Sequence, residues 1–342
     1  MEITKTKRFS GIELLRVISM FLIIASHYAN HGVGLISTSD WMNKNLFHRV
    51  VLSCFSLGGE YGVGVFFIIT GFFMLDKEIS VLHFKSLIKT VYYYALLCFI
   101  LSIFFYFFFP EIISLSMLKS FGVFTLIPIS YGSWWFISVY VFVYITIPFL
   151  NSVIREKKTF QHVIIVILLF VLWMVISIKI DSKYALIEKG LFYYFLGTLL
   201  YRIKDYRINN LLLIIIFITC LFSYNTLGYY YNSGIDRFLI ETGVGISKVL
   251  LCGLSVYIAY QNKFYHLGIN TVSKMCLSVY LIHTYPSLNV IIWFNAKKIY
   301  FLNSSNFVFI ILVLGYISLV FLLCLCIDFV RIMVTKKYFR GR

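Results

Sequence analysis

The chain has 342 residues, 61% of them hydrophobic, 19% aromatic and only 13% charged, with a mean hydropathy of +0.89. A soluble domain is about a quarter charged, so this composition excludes an ordinary soluble enzyme, and the abundance of apolar residues excludes disorder. The formal net charge of +16 would point to nucleic acid in a soluble protein. Here the basic residues stand in short clusters between apolar runs, the pattern of membrane topology, and nucleic acid is not an expected partner.

Taken in chain order, apolar runs long enough to cross the hydrocarbon core lie near 12–30, 50–75, 88–109, 133–150, 161–179, 190–201, 209–226, 242–260, 275–295 and 306–330. The first contains Arg16, outruns a signal-peptide core and lacks a small-residue cleavage site, so it reads as a retained span. The sixth is short. Alternating apolar and polar strands are absent, and in lipid a helix satisfies its own backbone. The expected fold is therefore an all-α polytopic membrane protein of about ten transmembrane helices. It forms one transmembrane domain over 1–342, with spans from 12 to 330 and a short basic tail, 331–342, that anchors the last helix against anionic lipid. The longest stretches outside the spans, near 31–49 and 110–132, are too short for a soluble domain, and no inverted repeat is visible.

Lys and Arg set the orientation. Clusters such as Lys5, Lys7 and Arg8; Lys77, Lys85 and Lys89; Arg155, Lys157 and Lys158; and Arg331 to Arg342 all fall on one side. That side carries roughly twice the basic residues of the other, which puts both termini in the cytoplasm. The seven cysteines lie almost all within apolar runs with no CxxC spacing, and read as small buried hydrophobes rather than disulfides or metal ligands.

Polar residues inside spans are costly and mark functional candidates. The first span carries the densest set: Glu13, Arg16, Ser19, Ser26, His27 and Asn30. Arg16 and His27 are eleven residues apart, three turns plus about 20°, so they share a face at about 16 Å along the axis. Snorkelling of Arg16 and a packing hydrogen bond for His27 are the bland alternative to a site. A neutral histidine in a dry, oriented setting can act as a general base. Glu60, after Gly58-Gly59, is a candidate to orient the His27 imidazole. Glu241 and Lys248, two turns apart, read as a structural pair. Trp134 and Trp135 read as an interfacial aromatic belt, with sugar stacking as the alternative. His283 divides between packing and lining a pore. His31, His48, His83, His162 and His266 lie in loops or at span ends and receive no role. Asn303-Ser304-Ser305 matches a glycosylation acceptor that is common by chance. HExxH, P-loop, GxSxG and GxGxxG patterns are absent, which argues against a zincin, ATPase or α/β-hydrolase.

These residues resemble the membrane acyltransferase-3 family along nearly the whole chain. The most specific element is a basic residue, ten residues and a histidine in the first span, here Arg16 to His27. Supporting segments are Gly62-Val63-Gly64-Val65-Phe66-Phe67-Ile68-Ile69-Thr70-Gly71-Phe72, Trp134-Trp135-Phe136-Ile137-Ser138 and Leu277-Ser278-Val279-Tyr280-Leu281-Ile282-His283. The resemblance implies an O-acyltransferase of a bacterial cell surface, with acetyl-CoA (or another acyl-CoA) as cytoplasmic donor and no metal. The acceptor would be a sugar hydroxyl of a polysaccharide such as capsule, or of its lipid-linked precursor.

By the same resemblance, His27 would serve as base or acyl carrier with Arg16 and Glu60 beside it. Arg16, Lys85 and Lys89 would bind the anionic donor, and Trp134, Trp135, Asn30 and His283 the acceptor. The chain departs from the family where Lys85 and Lys89 stand in place of an Arg-x-x-Arg, since lysine offers a point charge rather than a planar fork. No fused extracytoplasmic hydrolase-like domain is read in the sequence. The competing reading is a secondary transporter or flippase for a sugar, lipid or organic acid; a non-catalytic export subunit is a third. Membrane lipid is an expected partner, and the sequence assigns no oligomeric state.

Overall fold

The computed structural model describes residues 9–34, 45–108, 110–129, 134–179, 186–232, 237–294, 296 and 305–339. All regular structure among them is helical: α1 (Ser10–His27), followed by a π-helical turn (Tyr28–Val33), α2 (Leu46–Met74), α3 (Val81–Phe108), α4 (Leu115–Leu126), α5 (Trp135–Arg155), α6 (Thr159–Lys179), α7 (Leu186–Arg202), α8 (Asn210–Asn232), α9 (Arg237–Gln261), α10 (Leu267–His283), α11 (Pro286–Phe294) and α12 (Asn306–Phe339). Among the described residues eight helices are long and apolar enough to span a membrane, and α10 with α11 makes a ninth as a bent pair. The expected sixth span is α7, 17 residues long. Each of the ten apolar runs thus meets a helix or, in one case, a broken pair, and the chain is a polytopic all-α membrane protein. The short α4 has no counterpart among the expected spans. Its start is fixed by the Ser114 side chain, which accepts from the Met117 N–H.

Two boundaries differ from the sequence reading. Helix α3 begins at Val81, ahead of the expected start at 88, so Lys85 as well as Lys89 stands exposed on its first turns; lysine is a good helix former and its stem lets the charge reach water. Helix α12 runs to Phe339, so most of the expected tail is helix. Its 34 residues extend about 51 Å against about 30 Å of hydrocarbon.

Contacts group the chain into two compact units. The first comprises Met1–Ser19, Leu57–Ile79 and Val139–Ser273. Here α2 and α7 approach until backbone meets backbone: a Cβ on Gly71 would strike the Tyr194 carbonyl, and one on Gly197 the Ile68 carbonyl. Small residues allow such approach in lipid, where packing rather than hydrophobic transfer drives helix association. Asn151 of α5 ties the end of this pair. Its amide donates to the Met74 and Leu75 carbonyls at 2.9 and 3.1 Å, and its oxygen accepts from Tyr194 Oη at 2.7 Å. The Arg202 guanidinium donates to carbonyls at the end of α5, those of Ile154, Arg155 and Lys157, satisfying groups a helix end leaves open.

The second unit comprises Met20–Ser56, Ser80–Ser138 and Lys274–Arg342. Two interruptions of regular helix define it. The first span changes to π-helix after His27 and ends at Gly34, whose φ of 72° suits glycine and whose N–H donates to Ala29 O. The ninth run is bent: α10 stops at His283 and α11 leaves at 85°. Pro286 explains the break. It lacks an N–H, sets its own φ at the first position of α11 and pushes Tyr285 out of helical conformation. The corner is locked by Tyr285, whose hydroxyl lies 2.8 Å from Thr125 Oγ1 and donates to Phe121 O at 3.2 Å.

Candidate functional site: a histidine pair at two helix ends

His27 is the last residue of α1 and His283 the last of α10. The structure brings them together: His27 Nδ1 lies 3.0 Å from His283 Nε2, across 256 residues of sequence. His283 is fully buried, and its Nδ1 lies 2.6 Å from the Val279 carbonyl one turn back. The His31 ring, on the π turn, lies 5.1 Å from that of His27. The sequence reading gives His31 no role because it sits at a span end; four residues on from His27, it lies about one turn along the same face.

Around the pair, polar side chains fasten α1 to α2. Ser26 Oγ donates to Ser56 O at 2.9 Å, Asn30 Nδ2 to Ser26 Oγ at 3.2 Å, and Ser56 Oγ to Asn30 Oδ1 at 2.7 Å. Asn30, expected to meet the acceptor, thus has both ends of its amide in this clasp. Trp134 is fully buried, with the rings of Phe124 and Tyr285 edge-on at 5.0 and 6.0 Å. The α4 and Tyr285 aromatics enclose its ring in this structure. Trp135 beside it is half-buried.

The remaining expected residues stand in the first unit or on exposed helix. Arg16 Nη1 pairs with the buried Glu13 carboxylate at 3.1 Å, and Ser273 Oγ donates to the same carboxylate. Glu60 is held by two lysines. Its oxygens lie 2.9 and 3.0 Å from Lys189 Nζ, and Oε2 lies 3.2 Å from Lys248 Nζ. Two ammonium groups claim the carboxylate, and the Nδ1 of His27 faces an imidazole instead. Lys248 is thus paired with Glu60; the Glu241 side chain, its expected partner, lies outside the described residues, as does the Asn303 acceptor sequence. Lys189, just ahead of the expected sixth span, is buried in the first turn of α7.

Sequence reasoning also missed Asp328. It is 1% exposed on α12, accepts from Tyr94 Oη, and pairs with Arg331 Nε at 2.6 Å. A lone aspartate in the last apolar run was the signal. Among the described residues no group of three or more His, Cys, Asp or Glu is placed to hold a metal ion. Two open clefts, of about 270 Å³ (lined by Arg155, Arg202 and Lys204 among others) and about 490 Å³ (beside Arg207 and Asn210), lie in the first unit, and neither includes the histidines.

Fold and site together define a multi-pass helical membrane protein with a pair of imidazoles, one buried and one half-buried, where two helices end. The acyltransferase-3 family model, described as an acyltransferase domain, matches residues 9–329, and the chain belongs to that family: it is a membrane acyltransferase. No curated protein and no solved structure matches the chain in the same comparisons.

Proposed function

We propose that this acyltransferase is an O-acetyltransferase of the cell membrane, with both termini in the cytoplasm. It would draw acetyl groups from cytoplasmic acetyl-CoA and deliver them to a sugar hydroxyl of a bacterial cell-surface polysaccharide, such as a capsule, or of its lipid-linked precursor. The observation that carries the reading is the His27–His283 contact: a half-buried imidazole hydrogen-bonded to a fully buried one is suited to accepting and passing a proton. The expected basic side facing the cytoplasm supports a polyanionic donor, with Arg16, Lys85 and Lys89 as candidate phosphate partners.

In the reaction, His27 accepts the proton of the sugar hydroxyl as its oxygen bonds to the acetyl carbonyl carbon. The carbon–sulfur bond breaks, its electron pair stays on sulfur, and the thiolate of CoA takes up the proton. As acyl carrier, His27 would instead bond to the carbonyl carbon first and then yield the acetyl group to the hydroxyl. The broken α10–α11 span also resembles the discontinuous helices of transporters, so transport of a sugar, lipid or organic acid is the second reading. Release of CoA separates the two.

The test uses inside-out membrane vesicles given acetyl-CoA labelled in the acetyl group. Wild type should transfer label to carbohydrate. His27→Ala should lose at least about 100-fold, and Arg16→Ala should raise the KM for acetyl-CoA about tenfold. Wild-type transfer by His27→Ala would overturn the assignment.

A further inference from the structure

The hydrogen bonds running from Val279 through His283 to His27 determine where the protons are. A carbonyl oxygen only accepts, so His283 Nδ1, 2.6 Å from Val279 O, carries a hydrogen and donates. A neutral imidazole has one N–H, so Nε2 of His283 is an acceptor. The hydrogen in the 3.0 Å contact therefore belongs to His27 Nδ1. With both rings neutral, the resting state of a base, the lone pair of His27 is left on Nε2. This assignment follows from the chain of partners alone.

We propose that His283 is a positioning residue for acyl transfer: it holds His27 in the Nδ1–H tautomer, so that Nε2 is the reacting nitrogen, and it shares the charge His27 acquires. The inference rests on the role proposed above for His27 and deepens it. When Nε2 takes the hydroxyl proton, His27 becomes an imidazolium whose Nδ1 proton lies on a hydrogen bond to His283 Nε2. The charge is distributed over two rings until Nε2 returns its proton to the departing CoA thiolate. In the acyl-carrier route, Nε2 bonds to the acetyl carbon, the thiolate leaves, and the Nδ1 proton passes to His283 Nε2, giving a neutral acylimidazole. Either way His283 receives charge at the C-terminal end of α10, where the helix dipole favours a cation. The break at Pro286 gains a purpose: it ends α10 at the residue that must meet His27, and Tyr285 fixes that end against α4.

The experiment compares purified wild type, His283→Phe and His283→Gln in lipid nanodiscs. Phe removes the acceptor. Gln keeps a carbonyl oxygen able to accept from Nδ1 but unable to take the proton. His283→Phe should lower kcat about 100-fold while the KM for acetyl-CoA stays within about twofold, and His283→Gln should recover about tenfold of that loss. The ¹⁵N spectrum of histidine-labelled protein, with His27 assigned by its loss in His27→Asn, should show the Nδ1–H tautomer in wild type and its disappearance in His283→Phe. Should His283→Phe fail to fold, His283→Gln against wild type carries the kinetic comparison and the wild-type spectrum carries the tautomer. An Nε2–H tautomer for His27 in wild type, or kcat unaffected by either variant, overturns the proposal. If wild type releases no CoA at all, the acetyltransferase reading falls, and the spectrum still decides the tautomer.

Discussion

Two groups of polar side chains stand out from the apolar background, one in each unit, and they were unequally visible in the sequence. His27 and Arg16 were legible because a histidine and an arginine on one face of an apolar helix are costly in lipid and rarely persist there without a function. His283 was visible, but its partner was not, since no local pattern relates two residues 256 apart. The partners of Glu60 were not legible either: Lys189 and Lys248 come from α7 and α9, and Lys189 falls outside the expected spans. The lysine side chains are 7% and 9% exposed, against 43% for Glu60. Removing the carboxylate leaves two buried ammonium groups facing each other. Glu60→Gln should destabilise the protein by about 1 kcal/mol, since solvent reaches the carboxylate and screens the pair, read as a lowered thermal midpoint in detergent. Adding Lys189→Met should restore part of the loss. An unchanged midpoint for Glu60→Gln would show that the cluster contributes nothing to folding.

At the scale of elements, the ten runs were legible because hydropathy over about twenty residues marks a span whatever it packs against. The breaks were less so. Pro286 was the available signal for the bend, since the residue before a proline leaves the helical region; the π turn after His27 has no comparable mark until Gly34 closes it. Helix contacts through glycine are also specific. Gly71→Ala should lower stability by about 1–3 kcal/mol, because its methyl meets the Tyr194 backbone, which cannot swing aside. Gly315→Ala, on α12 with nothing within 4 Å of the added carbon, should leave the midpoint unchanged or raise it. Equal effects at the two sites would contradict the close packing of α2 on α7. Pro286→Ala should lower transfer about tenfold or more by freeing the end of α10 from its corner, with the protein still folded and membrane-inserted.

For the whole molecule, composition alone carried the membrane class, and the distribution of burial agrees with lipid contact. The most apolar stretches of α6 and α8 are only 17% and 22% buried, whereas those of α1 with its π turn and of α2 are 61% and 67% buried. The helices that carry Arg16, His27 and Glu60 are thus among the enclosed ones. Orientation is a matter of charge bias, and cysteine labelling tests it. Lys119→Cys should react with an impermeant maleimide in intact cells, and Lys158→Cys only after permeabilisation; the reverse pattern would invert the topology and with it the side from which the donor arrives.

The central claim is that His27 performs acyl transfer from acetyl-CoA, and the most direct measurement is acetyl-CoA binding and slow CoA release by purified protein in nanodiscs. Wild type should bind and release CoA, while His27→Ala should bind with similar affinity and release none above background. Binding without any wild-type release, or release equal in the two proteins, would contradict the account.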